Sequence, residues 1–419
     1  MEPMKTGYAH LRCGLIGEHL SHSFSAPIHA LLADYSYKIC EMPREAVGDF
    51  VKNGGMDAFN VTIPYKEVVI PFLDRISPEA RRIGSVNTVV RRKDGSIEGF
   101  NTDYFGFDAM LRASAIPVKG KKAVVLGTGG ASKTVRTVLS DRGVGELIVV
   151  GRTSENNYEN LSRHYDADLI VNTTPVGMFP KNGVSPIELS HFTRCKGVLD
   201  LIYNPAKTAL LLCAEELGMV AMNGLYMLVA QAVKAFEIFV GTDSDPTATD
   251  RIVKQIEASM QNVILIGMPG CGKSTVGRLL ADRLGRTFLD ADEEFLRMHG
   301  ASPAQVIVEK GEDAFRAMEH TVLCELGKRS ASVIATGGGA VTRSENDAPL
   351  HQNGVIVYLR RDPATLSTEG RPLSQKGSPV ELFKKRKAFY EAFADLTVDS
   401  AETPTETADA VLLALGSYR

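Results

Sequence analysis

The stretch Asn262–Gly285, NVILIGMPGCGKSTVGRLLADRLG, decides how the chain is read. Val263–Ile266 is a short apolar run and predicts a buried strand. Val276, Leu279, Leu280 and Leu284 then recur on one helical face, and Gly285 predicts the stop. Between strand and helix, Gly267–Ser274 reads GMPGCGKS, a complete G-x-x-x-x-G-K-[ST]. A strand that feeds such a loop into a helix makes a phosphate site, because backbone N–H groups converge at the helix's positive end. Gly270, Gly272 and Thr275 belong to this cradle. Lys273 would reach the β/γ-phosphates of a nucleoside triphosphate, and Ser274 would ligate Mg²⁺. A plain glycine turn is the alternative; the flanking strand and helix argue against it.

In an open parallel sheet, ligands collect at the carboxyl ends of the strands. Downstream of the loop, Asp290 and Asp292 follow the apolar run Thr287–Leu289, and Gly337–Gly339 follow Val333–Thr336. Both segments should therefore face the phosphate loop, with the glycines allowing close backbone approach. Arg316, Arg371 and Arg386 could hold anions, although each alone reads as a surface arginine.

Upstream, Lys121–Gly143 reads KKAVVLGTGGASKTVRTVLSDRG. It repeats the logic: a strand over Lys122–Leu126, glycines, then Val135, Val138 and Leu139 at helical spacing. A further strand, Glu146–Val150, makes a βαβ opening. The dinucleotide fingerprint asks for a third Gly or Ala, and Ser132 stands there, so the motif alone is weak. The next strand end carries no acid to bind a ribose 2′-hydroxyl. It reads Gly151, Arg152, Thr153, and Lys133 lies just past the glycines. Two cations without an acid favour a 2′-phosphate, hence NADP(H). Gly127, Gly129, Gly130, Ala131 and Thr153 complete the expected cofactor contacts.

The whole chain has 419 residues, 44% of them apolar and 23% charged, which suffices for a core and excludes a disordered or collagen-like chain. A net charge of −3 gives no broad basic face, so nucleic acid is not expected as a partner. Six scattered cysteines without C-x-x-C argue against a disulfide framework or zinc site and fit a reducing, cytoplasmic compartment. The most apolar helical stretch, Tyr226–Val240, contains Gln231, Lys234 and Glu237, so no membrane span is expected. No leader pattern opens the sequence.

Strands alternating with helical stretches predict three α/β lobes. A substrate lobe over 1–107 would be completed by about 224–260. A Rossmann-like cofactor lobe would occupy 108–223, and a P-loop parallel-sheet domain 261–419. The first lobe gathers polar residues in short motifs: Ser21 and Ser23 in LSHSFS, Asn60, Thr62 and Lys66 in FNVTIPYKE, Asn87 in GSVNTVV, and Asp103 in GFNTDYFG. Each alone could cap a helix or shape a turn.

Taken in order, these motifs carry two resemblances. Residues from about 261 to 419 resemble shikimate kinase in the phosphate loop, D-A-D, G-E-x-x-F-R-x-x-E, G-G-G, R-P-L and the late R-x-x-x-Y. That resemblance implies that Asp292 holds and polarises the shikimate 3-hydroxyl, and that Arg316 and Arg386 fork onto its carboxylate beside Gly338 and Gly339. It implies that Arg371 reaches the transferring phosphoryl from a lid, and that Asp290 supports Mg²⁺ through water. Residues from about Cys13 to Met260 resemble shikimate dehydrogenase in S-H-S-x-S, N-V-T-I-P-Y-K, G-S-V-N-T, N-T-D-x-x-G, G-x-G-G-A-S, N-T-T-P-V-G-M, D-L-I-Y-N-P and G-L-Y-M-L-V-x-Q. This implies NADPH-dependent reduction of 3-dehydroshikimate. Lys66 and Asp103 would be the catalytic pair, Ser21 and Ser23 would bind the carboxylate, and Asn60, Thr62, Asn87 and Gln231 the ring hydroxyls. Gly224 would touch the cofactor.

The chain departs from the dehydrogenase pattern at Gly151, where the family has Asn, and at Ala26, which interrupts S-x-S-P. The span Arg152–Asn172 is short, so a strand–helix piece of the cofactor lobe is expected to be missing. The expected whole is a bifunctional enzyme using NADPH, ATP and Mg²⁺ on small molecules, its oligomeric state open. Two alternatives stand: a quinate-type dehydrogenase fused to a related kinase, and an inactive shikimate-sensing regulator.

Overall fold

The computed structural model describes residues 6–20, 23–366 and 378–418. Contacts divide the chain into two compact units: Met1–Val176 with Pro186–Tyr203 and Cys213–Gln255, and Gly177–Ser185 with Asn204–Leu212 and Ile256–Arg419. Among the described residues there are three sheets, the first two of which lie in the first unit; Gly177–Ser185 and Asn204–Leu212, which the sequence placed in the cofactor lobe, group with the second unit.

The first sheet is built from β1 (Arg12–Gly17), β2 (Ser36–Glu41), β3 (Ala58–Val61), β4 (Arg75–Ile76), β5 (Thr88–Arg91) and β6 (Ile97–Phe100), in the order β2-β1-β3-β5-β6-β4. It is mixed: β3 pairs parallel with β1 but antiparallel with β5. The second sheet holds β7 (Lys122–Leu126), β8 (Glu146–Val150), β9 (Leu169–Asn172), β10 (Gly197–Asp200) and β11 (Val220–Met222) in the order β11-β10-β9-β7-β8, all parallel. Chain order reverses between β7 and β9, so the glycine loop after β7 sits at the switch point of the sheet. β8 is an edge strand, and only a 3₁₀ turn, Leu161–His164, lies between it and β9. No strand or α-helix lies between β8 and β9.

A helix at Thr102–Ala113 runs through position 107, where the sequence suggested a boundary. It packs on the helix Leu225–Val240, and Gly106 is the reason it can. A Cβ there would meet the Met227 carbonyl oxygen at 2.6 Å and Gln231 Cβ at 2.9 Å. That close crossing brings Gln231 alongside Thr102, whose hydroxyl oxygen lies 3.3 Å from Gln231 Oε1.

The second unit contains the third sheet: β12 (Asn262–Ile266), β13 (Thr287–Asp290), β14 (Ser332–Ala335), β15 (Gly354–Arg360) and β16 (Leu396–Asp399), ordered β13-β14-β12-β15-β16 and parallel throughout. β12 is buried on both faces, as a central parallel strand must be. Val263 and Leu265 join one apolar cluster with Val276 and Leu280 of the helix Lys273–Leu284. Ile264 and Ile266 join the opposite one with Phe295, Phe315 and Tyr390. This order brings the carboxyl ends of β12, β13 and β14, with the segments flagged in the sequence, to one edge. Among the described residues, no helix is long and apolar enough to cross a membrane.

Candidate active sites

In the first unit a cleft of about 1890 Å³ opens between the first two sheets. Its lining includes Ser23, Asn60, Thr62, Lys66, Asn87, Asp103, Gly130, Ala131, Gly224 and Gln231, so most of the residues singled out in the sequence meet there. Ser21 lies outside the described residues.

Lys66, five residues past the end of β3, and Asp103, in the first turn of the helix Thr102–Ala113, face each other. Lys66 Nζ donates to Asp103 Oδ2 at 2.5 Å, and both side chains are partly buried. The Asn101 side chain caps this helix by accepting from Tyr104 N at 3.2 Å, which fixes the turn carrying Asp103. Neighbouring amides are oriented by their inner contacts. Asn87 Oδ1 accepts from Thr102 N at 2.7 Å and from the Thr102 and Thr88 hydroxyls at 3.1 Å. Asn60 Oδ1 accepts from the Tyr37 hydroxyl at 2.7 Å. Both amide oxygens are thereby turned inward; Asn60 Nδ2 also donates inward, to Thr88 Oγ1 at 3.1 Å and the Asn87 carbonyl at 3.3 Å, so it is Asn87 that can offer N–H to the cleft.

At the cofactor side, Gly127 has φ +105°, and a Cβ there would meet Thr173 Oγ1 at 2.6 Å. Gly129 and Gly130 open the helix Gly130–Asp141 onto free space, with nothing within 4 Å of where a Cβ would stand. A pyrophosphate fits such a helix start, so these residues suit a dinucleotide. Ser132, at the third fingerprint position, is buried. Arg152 and Thr153 are exposed just past β8. Lys133, expected to face a 2′-phosphate, instead donates to Glu67 Oε1 at 2.9 Å. Tyr203, in D-L-I-Y-N-P, lines the cleft and meets Phe24 edge-on at 5.7 Å. Sequence reasoning quoted its motif without assigning the residue.

In the second unit, Gly267, Gly270 and Gly272 of the loop after β12 all have positive φ, at +146°, +86° and +101°. Lys273 is buried, and its Nζ donates to the carbonyls of Gly267 at 2.9 Å and Met268 at 3.0 Å. The Ser274 hydroxyl donates to Asp290 Oδ2 at 2.7 Å. Asp290 also caps the helix Ala291–His299, accepting from Asp292 N at 3.0 Å, which sets Asp292 in its first turn. A hydroxyl and a carboxylate side by side are hard oxygen donors of the kind Mg²⁺ takes. Among the described residues no group of three His, Cys, Asp or Glu could hold a metal alone, so such an ion would complete its shell with phosphate and water.

The three glycines after β14 are forced by contact. A Cβ on Gly337 would meet Glu319 Oε1 at 2.5 Å, one on Gly338 would meet Pro269 Cδ at 2.6 Å, and one on Gly339 would run into the Arg316 guanidinium. Arg316 is buried, donating to Glu319 Oε2 at 2.5 Å and to Glu312 Oε1 at 3.2 Å. Burial pushes the Glu319 carboxyl above its ordinary range; Arg316 pulls it back, and the Asp292 charge adds to the upward push. Arg386 Nη1 donates to the Gly338 carbonyl at 3.1 Å, and the Tyr390 hydroxyl to the same oxygen at 2.5 Å. Arg371 lies outside the described residues, and Thr275 is exposed. The partner role of Glu319 was not assigned from sequence, although F-R-x-x-E puts it one helical turn from Arg316.

The comparisons follow the same division. The shikimate dehydrogenase substrate binding domain family matches residues 15–89, and the shikimate kinase family matches residues 269–415. A shikimate dehydrogenase (NADP(+)) of Clostridium beijerinckii is 36% identical over 264 residues, covering 58% of this chain and 97% of that relative. A chorismate mutase/shikimate 5-dehydrogenase fusion protein from Clostridium acetobutylicum is 40% identical with a TM-score of 0.56, over 59% of this chain and 97% of that one. The shikimate 5-dehydrogenase of Thermus thermophilus, solved with NADP(H) and shikimate, is 33% identical with a TM-score of 0.53, over 58% of this chain and 99% of that one.

Proposed function

We propose a two-step conversion for this chain, which belongs to the shikimate dehydrogenase family through its N-terminal half and carries a shikimate kinase domain in its C-terminal half. It is a bifunctional oxidoreductase and kinase. In our reading, 3-dehydroshikimate is reduced with NADPH in the first unit, and the shikimate formed is phosphorylated on its 3-hydroxyl with ATP and Mg²⁺ in the second.

The observation that carries the first step is the Lys66–Asp103 contact at 2.5 Å in the wall of the cleft. Bound NADPH supplies a hydride to the carbonyl carbon. The carbonyl oxygen then gains charge and must take a proton, which the Lys66 ammonium donates while Asp103 orients it. Asn87, with its amide oxygen engaged inward, presents N–H to a ligand oxygen, which places a donor beside the Lys66 ammonium where negative charge develops. Thr62 and Gln231 serve the remaining hydroxyls, and Ser23 with Ser21 the carboxylate.

In the second step positioning and electrostatics carry the catalysis. Asp292 accepts from the attacking hydroxyl, and Arg316 and Arg386 take the carboxylate. Lys273 leaves the loop carbonyls for the phosphates, and Ser274 and Asp290 attend the Mg²⁺ ion. Arg371 neutralises charge on the transferring phosphoryl. Incubation with 3-dehydroshikimate, NADPH, ATP and Mg²⁺ tests the whole: the expected product is shikimate 3-phosphate by mass. Shikimate accumulating without phosphorylation would remove the second step, and no NADPH consumption would remove the first. Side-by-side turnover of shikimate and quinate separates the quinate-type alternative.

A further inference from the structure

A chain of hydrogen bonds in the second unit leads away from the glycines after β14 and takes no part in the chemistry above. The glycine turn is closed by Ala340 N, which donates to the Gly337 carbonyl at 3.1 Å. Arg386 and Tyr390 hold its Gly338 carbonyl. Its Ala340 carbonyl accepts from Asn346 Nδ2 at 2.7 Å, and Ala340 and Asn346 are both fully buried. Asn346 Oδ1 in turn lies 2.7 Å from His320 Nδ1, and His320 Nε2 lies 3.4 Å from Cys324 Sγ. His320 and Cys324 stand one turn apart on the helix Glu312–Gly327, which also carries Arg316. Gly327 lets this helix come close to the segment after Asn346, since a Cβ there would run into the Pro349 carbonyl.

The hydrogens along this chain follow from its buried end. A backbone carbonyl only accepts, so the Asn346 atom that faces Ala340 is the amide nitrogen and the one that faces His320 is the oxygen. That oxygen also only accepts, so His320 Nδ1 carries the hydrogen. Nε2 of the neutral ring is then bare and takes the Cys324 S–H. A flipped amide would set two acceptors face to face at Ala340. The same helix therefore meets two consecutive residues of the glycine turn. Arg316 lies against Gly339, where a Cβ would run into its guanidinium, and His320, one turn on, reaches Ala340 through Asn346.

We infer that His320 is a positioning residue of the kinase site: as the Nδ1–H tautomer it holds Asn346, Asn346 holds the Ala340 carbonyl, and the helix that bears Arg316 thereby also sets where Gly338 and Gly339 stand. The inference rests on the reading of Arg316, Gly338 and Gly339 as shikimate-binding residues. A carboxylate gripped by Arg316 and a ring lying along the glycine backbone need a fixed spacing between the two. Without the tether, that spacing is no longer set in advance, and shikimate must align the two parts as it binds.

His320→Leu removes the donor to Asn346, whereas His320→Asn keeps an N–H where Nδ1 stands. In the full chain, His320→Leu is expected to raise the kinase KM for shikimate about fivefold, the size of one oriented hydrogen bond, with kcat and the KM for ATP within about twofold of the parent. His320→Asn should stay within about twofold in all three. In an Asn346→Ala background His320→Leu should have no further effect, because the group it holds is gone. Additive losses, a fall in kcat at unchanged KM, or equal impairment by Leu and Asn would overturn the inference. If Asn346→Ala does not fold, Asn346→Asp, which sets an acceptor against the Ala340 carbonyl, should raise the same KM at least as much; a parent-like value would overturn it. Long-range ¹H–¹⁵N spectra of the unmodified protein at pH 8 read the tautomer without any substrate: Nδ1–H is expected, and Nε2–H or an imidazolium would overturn the assignment. A parent protein that fails to phosphorylate shikimate would remove the site reading on which the inference rests, and the spectra tell that failure apart from a wrong tautomer.

Discussion

Lys133 Nζ donates to Glu67 Oε1 at 2.9 Å and so ties the first turn of the helix Gly130–Asp141 to the residue that follows Lys66. Both side chains are about half exposed, at 47% and 63%, so the pair is weak and easily traded for another anion. If Lys133 is drawn to the cofactor's 2′-phosphate, Glu67 competes with it. Glu67→Gln is then expected to lower the KM for NADP⁺ by about threefold at low salt, a gain that fades as salt screens the exposed charges. Lys133→Ala should raise it. Initial rates against NADP⁺ at two ionic strengths decide; an unchanged or higher KM in Glu67→Gln counts against the competition.

The two sites are built from separate side-chain sets in separate units, which makes independence measurable. Lys66→Ala removes the proton donor facing Asp103 and is expected to cut dehydrogenase kcat by about 100-fold or more. ATP-dependent phosphorylation of supplied shikimate should stay at the parent rate. Asp292→Ala should do the reverse. A folded variant that lost both activities would contradict the division into two sites.

Much of this was legible from sequence because the signals were local. The phosphate loop, the strand before it and the helix after it occupy one stretch, and β12, β7 and β8 lie within a residue of where their apolar runs put them. That no strand or α-helix lies between β8 and β9 fits the short span the sequence shows after Arg152. What was not legible depends on partners far apart in the chain. Nothing in the spacing around Lys133 tells that Glu67 holds it. Glu319 reads as one more helix acid until burial and Arg316 give it a role.

Gly339 offers a sharp test of the second site, because its backbone, at φ −110°, would accept any residue. The constraint is contact: a Cβ there runs into the Arg316 guanidinium. Arg316 is held on its other side by Glu319 and Glu312, so it cannot retreat without breaking buried charge-assisted bonds. Gly339→Ala is expected to raise the kinase KM for shikimate by about tenfold or more through displacement of that guanidinium, on the order of one charge-assisted hydrogen bond. Dehydrogenase rates serve as the internal control. A variant with parent-like shikimate KM would show that Arg316 does not touch the substrate.

The second unit also carries a pH-sensitive contact away from its active site. His351 lies between two carboxylates, with Nδ1 3.1 Å from Asp347 Oδ1 and Nε2 3.4 Å from Asp395 Oδ2. Burial by itself would lower its pKa, but the hydrogen bonds to Asp347 and Asp395 outweigh burial and raise it to about 9. Asp395 also accepts from Ile356 N at 2.7 Å, so the cluster braces the start of β15. In the unfolded chain the imidazole titrates at its ordinary value, so the folded unit holds a proton that the unfolded chain releases first. The stabilisation is therefore complete below about pH 6.5 and is lost as pH rises through about 9. A shift of this size is worth on the order of 3 kcal/mol across that window. Urea midpoints for loss of kinase activity, taken at pH 6, 7.5 and 9.5, should fall with pH in the parent protein. In His351→Gln they should start lower and change less, because the titrating group is gone; equal pH slopes in the two proteins would show that the cluster does not brace the fold.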